Sequence, residues 1–281
     1  MGHHNIRYVG DPNADSGFWG TPTSVANFCE EDYAVTSYIA EFINTLTNLS
    51  YIYYAFRYAK SANPATPWYQ KIDFMAFSLV CVGVTSAMFH GTMRQVPQLM
   101  DDLSMLLLAG ALLQPIYALN QTPFRRVLVA LTLIFGIGTV SVIYARSGRI
   151  VIHMWTFITL LTFIWPRTLY LVRKTGYSGA QKRVLMRSFA RAGWALLAGY
   201  ALWNVDLELC LGLRALRDKV GIPFSWGLEL HGWWHFLTAL GASHYIRLVR
   251  MLTGEEPIKV TPEDEAAVKA HRQEKEARHK R

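Results

Sequence analysis

The sequence predicts an all-α membrane protein, built as a bundle of seven transmembrane helices. Hydrophobic residues make up 52% of the 281 residues and charged residues only 17%, whereas about a quarter is usual in a soluble domain. The strongly charged residues after position 254 leave the remaining body more apolar still. Nine Trp and 14 Tyr are amphipathic aromatic residues of the kind found where helices meet the bilayer surface.

Seven apolar segments are each long enough for a helix that crosses about 30 Å of hydrocarbon. In chain order they are residues 35–57, 71–91, 99–119, 125–145, 150–172, 187–207 and 226–250. Several contain Gly, Ser, Thr and aromatic residues, which favours helices packed on one another. They define a membrane domain at 35–250, preceded by a segment at 1–34 and followed by a charged tail at 251–281.

The distribution of charge predicts the orientation of the bundle. The first 24 residues hold no apolar run of the kind a signal peptide requires, so we expect the first apolar segment to direct insertion and to remain. Lys and Arg are more frequent at one set of helix ends, which predicts a cytosolic C-terminus and an N-terminus in the lumen or outside. Because the basic residues lie in short clusters between apolar runs, nucleic-acid binding is not favoured.

A pair of histidines in the last apolar segment is the strongest local motif. His231 and His235 are four residues apart, which puts both imidazoles on one helical face and suits two ligands of a tetrahedral Zn²⁺. On spacing alone, such a pair is more often two interfacial histidines that hydrogen-bond across a bundle. His90 ends the second apolar segment, and in an alternating bundle that end shares a membrane face with the start of the seventh. The predicted fold is therefore a seven-helix bundle with an intramembrane zinc site.

Two further side chains suit the chemistry of such a site. Asp101 begins the third segment at the same face, where a carboxylate can take a proton from an activated water and return it to a leaving group. The alternative is that it orients a histidine. Ser86 precedes His90 by one turn and can donate to a developing oxyanion, although serines in membrane helices often bond their own backbone.

Other polar residues in the apolar segments are expected to be structural. Asp102 points about 100° away from Asp101 around a helix. His153 is a lone histidine in an apolar segment, a position at which a neighbour usually satisfies the ring. Asp206 ends the sixth segment and is expected to brace the site or the following loop.

Oxygen donors cluster just before and inside the first apolar segment. Asn27, Glu30, Asp32 and Glu41 lie within 15 residues, and such hard donors favour Ca²⁺ over Zn²⁺. The spacing is not that of an EF-hand loop, and an acidic surface with helix-capping residues explains it equally well. Glu41 fits that explanation least, because it lies inside an apolar segment.

Cys29 and Cys210 fall on the same predicted side of the membrane. In an oxidising compartment they can pair and tie the N-terminal segment to the loop after the sixth helix. Two unrelated buried thiols are the alternative, and the sequence does not separate the two. Cys81 lies within the second apolar segment and is expected to pack there.

Several short stretches together resemble the alkaline ceramidases. They occur in order from about residue 17 to 245, nearly the whole membrane body, and are most similar to the fungal phytoceramidases and dihydroceramidases. The stretches are Gly17–Gly20, Asn27–Tyr33, Tyr38–Thr45, Phe89–Thr92, Gln98–Asp101, Trp203–Asp206 and His231–His235.

The resemblance implies an amide hydrolase acting on linear amides, which cleaves ceramide, phytoceramide or dihydroceramide from the bilayer to a sphingoid base and a free fatty acid. It implies that zinc is bound by His90, His231 and His235, with Ser86 and Asp101 as catalytic-site residues. It also implies an endoplasmic reticulum or Golgi membrane. The rival hypotheses are a related seven-helix zinc hydrolase acting on another lipid, and a seven-helix receptor or transporter.

The resemblance also implies a calcium site and a disulfide. The matching calcium ligands are Asn27, Phe28 through its carbonyl, Glu30, Asp32 and Glu41. The family has Asp where this chain has Asn27, and Asn where it has Asp32, so the number of carboxylates is kept while their positions are exchanged. Cys29 and Cys210 lie where the family can form a disulfide.

Overall fold

The computed structural model describes residues 13–57, 67, 72–174 and 176–279. Residues 1–12 of the predicted N-terminal segment, the first residue of the predicted span 71–91 and the last two residues of the tail lie outside these ranges. The α-helices of the described residues are α1 (Phe42–Thr47), α2 (Leu49–Arg57), α3 (Phe74–Thr92), α4 (Gln95–Ala118), α5 (Pro123–Ser147), α6 (Ile150–Lys174), α7 (Gly179–Glu208), α8 (Cys210–Val220), α9 (Leu230–Thr253) and α10 (Pro262–His279). A 3₁₀ helix covers Phe224–Leu228.

The all-α prediction is confirmed, since the described ranges contain these helices and no strand. Each of the seven predicted segments contains a helix. Four helices, α3 to α6, are long and apolar enough to cross a bilayer, or up to five spans if α7 and α8, which meet at 88°, form one broken span. Within the described residues, helix length and apolarity therefore indicate four or five candidate spans, and the predicted count of seven is not confirmed.

The first apolar segment departs from its prediction. The sequence predicts one helix over 35–57, but residues 35–41 are not helical, and Asn48 separates α1 from α2. The helix starts at Phe42 because the Glu30 carboxylate accepts the N–H groups of the two following residues. It is interrupted where the Asn48 side chain donates to the Asn44 carbonyl at 2.8 Å, a local bond that competes with the helical ladder.

Local signals set the ends of the longer helices. Asp73 begins α3, where its Oδ1 accepts the N–H of Ala76 at 2.8 Å, and Ser178 and Gln181 form a capping box at the start of α7. Helix α5 ends at Gly148, whose φ of 65° is the left-handed conformation that glycine adopts without a steric penalty.

Close helix packing brings the ends of α3 and α9 together. Helix α9 packs along α7, and α3 packs along α4 and α2. A Cβ atom at Gly83 of α3 would lie 3.0 Å from the carbonyl oxygen of Asn48, and one at Gly232 of α9 would lie 3.1 Å from Cγ2 of Thr47. Both glycines therefore permit a close approach to the α1–α2 region, which lies between them.

The N-terminal segment, residues 13–41, crosses the end of the bundle at which α3 finishes. Its backbone is bonded to that end, because Glu41 N–H donates to the His90 carbonyl at 3.0 Å and Thr23 N–H donates to the Met93 carbonyl at 3.0 Å. The segment therefore covers the end of α3 that carries His90. We call this end the histidine end, and the opposite end, where α10 lies, the tail end.

The charged tail docks on the bundle through its first turn. Asp264 of α10 contacts the guanidinium of Arg187 on α7, and Val268 packs against Gly179. Although burial opposes the shift, hydrogen bonds from Thr261 and Arg187 lower the pKa of Asp264. The tail thus begins as a helix held against α7.

Candidate metal centre

Three buried histidines from two helices meet at the histidine end. The ring centroids of His90 and His231 are 4.9 Å apart, those of His90 and His235 are 4.8 Å apart, and those of His231 and His235 are 4.5 Å apart. One ligand nitrogen from each residue lies within 4.8 Å of the other two, which makes this group able to hold a metal ion. The structure therefore brings together the three histidines that the sequence singled out.

Oxygen atoms orient two of the three rings. Nδ1 of His90 is 2.5 Å from Oε2 of Glu41, and Nδ1 of His235 is 3.0 Å from Oγ1 of Thr47. Each contact leaves Nε2 as the ligand atom, the arrangement by which metal-binding histidines are usually held. Three imidazoles with such oxygen partners are a donor set that suits zinc. Thr47 gave no signal in the sequence, because a threonine in an apolar helix most often bonds its own backbone, as Thr47 also does.

The third ring is placed by the N-terminal segment and by α7. The ring of Phe28 stacks on His231 with centroids 3.7 Å apart. The carboxylate of Asp206 accepts the N–H of Cys29 at 3.2 Å and also those of Leu230 and His231. Asp206 therefore caps the first turn of α9 and ties it to the N-terminal segment.

Ser86 and Asp101 meet one turn away from His90. The hydroxyl of Ser86 donates to the carboxylate of Asp101, across the contact between α3 and α4. Ser104 of α4 donates to the Asp101 carbonyl at 2.7 Å, and Thr85 of α3 donates to Ser104 at 3.0 Å. A short hydroxyl network therefore fixes the two helices at this depth.

Three buried carboxylates, those of Glu30, Asp32 and Glu41, lie in the N-terminal segment. Glu30 caps α1, since its two oxygens accept the N–H groups of Ile43 at 2.6 Å and Asn44 at 2.8 Å. Burial, followed by the negative charge of Glu41, raises the pKa of the Glu30 carboxyl to about 8. Helix capping thus accounts for the Glu30 carboxylate, as one of the two sequence-based hypotheses expected.

The predicted calcium ligands are less tightly gathered than the histidines. Within the described residues, the carboxylates of Glu30, Asp32 and Glu41 do not form a metal-binding group by the distance criterion that the histidines meet. Oδ1 of Asn27 accepts the N–H of Phe28 at 2.8 Å, so this oxygen already has a backbone partner. The Glu41 carboxylate lies between the two sets, because Oε2 contacts both His90 and the Asn44 amide.

A disulfide joins Cys29 to Cys210, with Cα atoms 5.3 Å apart. Two arginines of α8 hold the same segment, since Arg214 and Arg217 donate to the Cys29 carbonyl at 3.0 and 2.8 Å. Arg217 also contacts Glu229 immediately before α9. Sequence reasoning missed both arginines, because they fall in the stretch after the sixth apolar segment, for which the sequence predicts a loop. Their spacing from Cys210, four and seven residues, places all three on one helical face and is the signal that identifies them.

The chain is similar to known proteins over most of its length. The sequence model of the Ceramidase family matches residues 20–269, a range that includes every predicted site residue. An alkaline ceramidase of Saccharomyces cerevisiae is 30% identical over 246 residues, which cover 82% of this chain and 77% of that protein. Alkaline ceramidase 3 of Mus musculus is 29% identical over 239 residues, which cover 82% of this chain and 84% of that protein.

Proposed function

This chain belongs to the ceramidase family, and we propose that it hydrolyses the amide bond of ceramides with a zinc ion held by His90, His231 and His235. The products are a sphingoid base and a free fatty acid. One observation carries the proposal, namely the convergence of these three histidines one turn from the Ser86–Asp101 pair. The relatives support the substrate class, since they are named alkaline ceramidases.

The donor set suits a catalytic zinc ion, because three protein ligands leave one coordination position open. When bound, zinc polarises a carbonyl and activates water. The protein holds the ligands ready for this chemistry. Glu41 and Thr47 fix the rings of His90 and His235, and burial of all three histidines keeps bulk water away.

Asp101 and Ser86 carry the proton transfer and the charge stabilisation. As water adds to the amide carbon, the Asp101 carboxylate accepts its proton, and it returns that proton to the nitrogen when the C–N bond breaks. In the structure the Ser86 hydroxyl donates to Asp101. Once Asp101 has taken up the proton, Ser86 donates its hydroxyl instead to the oxygen on which negative charge develops. The amide is thereby cleaved with no further reactant than water.

We place this chemistry within the bilayer, with all seven apolar segments as spans and the acyl chains of the substrate remaining in hydrocarbon. Helix α5 supports lipid contact, because large apolar side chains such as Phe124, Ile134 and Phe135 are more than half exposed along it. The basic bias places the C-terminus in the cytosol and the histidine end in the lumen. An endoplasmic reticulum or Golgi membrane is the proposed location.

We further propose that Ca²⁺ binds beside the zinc site, with Asn27, the Phe28 carbonyl, Glu30, Asp32 and Glu41 as its oxygen ligands. Buried carboxylates are costly without a positive partner, so several of them close together favour a cation between them. Their oxygen atoms are the ligands that calcium prefers. The calcium would be structural or regulatory, because Glu41 contacts His90 and so links the two sets of ligands.

The test is to incubate the purified protein with labelled phytoceramide, dihydroceramide and ceramide, with and without a zinc chelator. We expect release of sphingoid base from at least one substrate, loss of that release with the chelator and recovery on addition of zinc. A glycerophospholipid in the same panel tests the rival lipid hydrolase. Absence of chelator-sensitive release of sphingoid base from every ceramide would refute the proposal.

A further inference from the structure

A second polar cluster lies on another side of α4 from the Ser86–Asp101 pair. It centres on Asp102, the residue after Asp101. Tyr144 of α5 donates its hydroxyl to Oδ2 of Asp102 at 2.5 Å, and Nδ1 of His153 on α6 lies 3.6 Å from Oδ1. Gln98, one turn earlier on α4, also hydrogen-bonds the Asp102 carboxylate.

Gln98 extends this cluster to the N-terminal segment. Its Oε1 accepts the N–H of Val25 at 2.7 Å and that of Ala26 at 3.2 Å. Because a glutamine amide has one oxygen and one NH₂ group, the NH₂ group is the part that donates to Asp102. The network therefore joins the segment that precedes Asn27 to α4, α5 and α6.

The cluster is buried in an otherwise apolar body. Gln98, Tyr144 and His153 are 3%, 4% and 6% exposed, and the Asp102 side chain is 13% exposed. An ionisable group inside a membrane domain is costly unless it is paired, and a satisfied polar network specifies one arrangement of the helices that supply its members. The contacts of Asp102 therefore favour one rotation of α4 about its axis and one position of α4 along that axis.

Asp101 and Asp102 face different helices. Asp101 meets Ser86 of α3, whereas Asp102 meets Tyr144 of α5 and His153 of α6. Since neighbouring residues share a rigid helical backbone, any rotation of α4 that breaks the Asp102 contacts also moves Asp101.

We propose that Asp102, together with Gln98, Tyr144 and His153, is a positioning residue that holds Asp101 at Ser86 in the catalytic arrangement. This inference rests on the proposed function. Positioning of this kind has a large kinetic effect, because a misplacement of about 1 Å can lower a rate about 100-fold. Asp102 itself takes no part in proton transfer, since its contacts lie away from Ser86.

The first experiment compares Asp102→Asn and Tyr144→Phe with the wild-type protein in ceramide turnover and zinc content. We expect Asp102→Asn to lower kcat by about 10- to 100-fold, with KM changed less than about twofold and zinc content unchanged. Tyr144→Phe, which removes one of the contacts, should lower kcat less. Tyr117→Phe is the matched control, because that hydroxyl also links α4 to α6, by donating to the Phe163 carbonyl at 3.1 Å, but at the tail end.

The second experiment separates positioning from general stability. Adding Asp102→Asn to Asp101→Asn should not lower the residual turnover further, because a positioning residue acts only through the residue that it positions. If Asp102 only stabilises the fold, the double variant should lose further turnover, in proportion to its loss of thermal stability. The inference would be overturned by wild-type kcat in both Asp102→Asn and Tyr144→Phe. It would also be overturned by an additive loss of turnover in the Asp101→Asn, Asp102→Asn double variant. If the wild-type protein shows no chelator-sensitive turnover, the proposed function fails as well.

Discussion

The two ends of the bundle use charged residues differently. At the tail end, acidic side chains meet arginines, as where Arg250 donates to Asp73 at 2.7 Å and Arg247 donates to Glu256 at 2.6 Å. At the histidine end, buried acids lie beside three histidines. One ion pair lies there as well, between Arg217 and Glu229, whereas Glu41 contacts His90 and Glu30 accepts the N–H groups of Ile43 and Asn44.

This difference distinguishes charged residues that stabilise the fold from charged residues that are suited to bind a metal ion. An acid paired with an arginine is compensated within the protein, and removing one partner leaves the other buried and uncompensated. Acids gathered beside imidazoles are suited to compensation by a metal ion, and such arrangements are typical of active sites. The histidine end therefore has the composition of a metal centre, and the tail end has that of a set of structural ion pairs.

The largest effect is expected from a histidine ligand. His231→Ala should abolish ceramide turnover and lower zinc content while the protein remains inserted, because two imidazoles cannot complete the proposed site. His244→Ala is the matched control, since His244 lies on the same helix, 13 residues nearer the tail end, and should keep both turnover and zinc. Normal ceramide hydrolysis by His231→Ala would refute the zinc assignment. It would also contradict the view that the histidine end, unlike the tail end, serves catalysis.

A smaller effect is expected from the proposed calcium site. Calcium at about 100 times its dissociation constant should stabilise the wild-type protein by about 2.7 kcal/mol, which a melting curve in detergent measures. Asp32→Asn should lose most of this gain, because it removes a buried carboxylate. Glu31→Gln is the control, as Glu31 is partly exposed and lies 3.9 Å from Arg214. An unchanged melting temperature of the wild-type protein on calcium addition would refute the calcium site and favour the helix-capping hypothesis.

Sequence patterns predicted the helices wherever the signal is local. The apolar runs that became α3 to α7 depend only on neighbouring residues, and so do caps such as Ser178 with Gln181. The start of α1 at Phe42 was not predicted, because it depends on Glu30, 13 residues before Ile43, whose carboxylate accepts the Ile43 N–H. A helix start that depends on a distant carboxylate has no periodic signature.

The same limit applies to the site. The i, i+4 spacing of His231 and His235 and the alternation of helices were enough to bring His90 to them. The side chains that orient the site were not found, because each acts across helices, as Thr47 does on His235 over 188 residues. Asp102 was expected to be structural, and its partner Tyr144 lies 42 residues away on α5. Pairings of this kind follow from packing and not from spacing.

The smallest effect is expected at the tail end, from Asp264→Asn. Asp264 holds α10 to α7 through Arg187, and this contact should support the position of the tail but not the chemistry. Turnover and zinc content should therefore stay at the wild-type level, while limited proteolysis of the tail becomes faster. Arg187→Gln should reproduce the same cleavage pattern, because it removes the other partner of the pair.

The pH dependence of tail docking gives the comparison its last test. Hydrogen bonds from Thr261 and Arg187 lower the pKa of Asp264 in the folded protein. A carboxylate whose folded pKa is depressed adds stability above its unfolded pKa of about 3.9, and this contribution is lost as pH falls through the folded value. Proteolysis of the wild-type tail by an acid-stable protease should accelerate below about pH 4, whereas that of Asp264→Asn should change little. Loss of ceramide turnover in Asp264→Asn at neutral pH would contradict the distinction between the two ends. The contact at the tail end would then affect the chemistry at the histidine end.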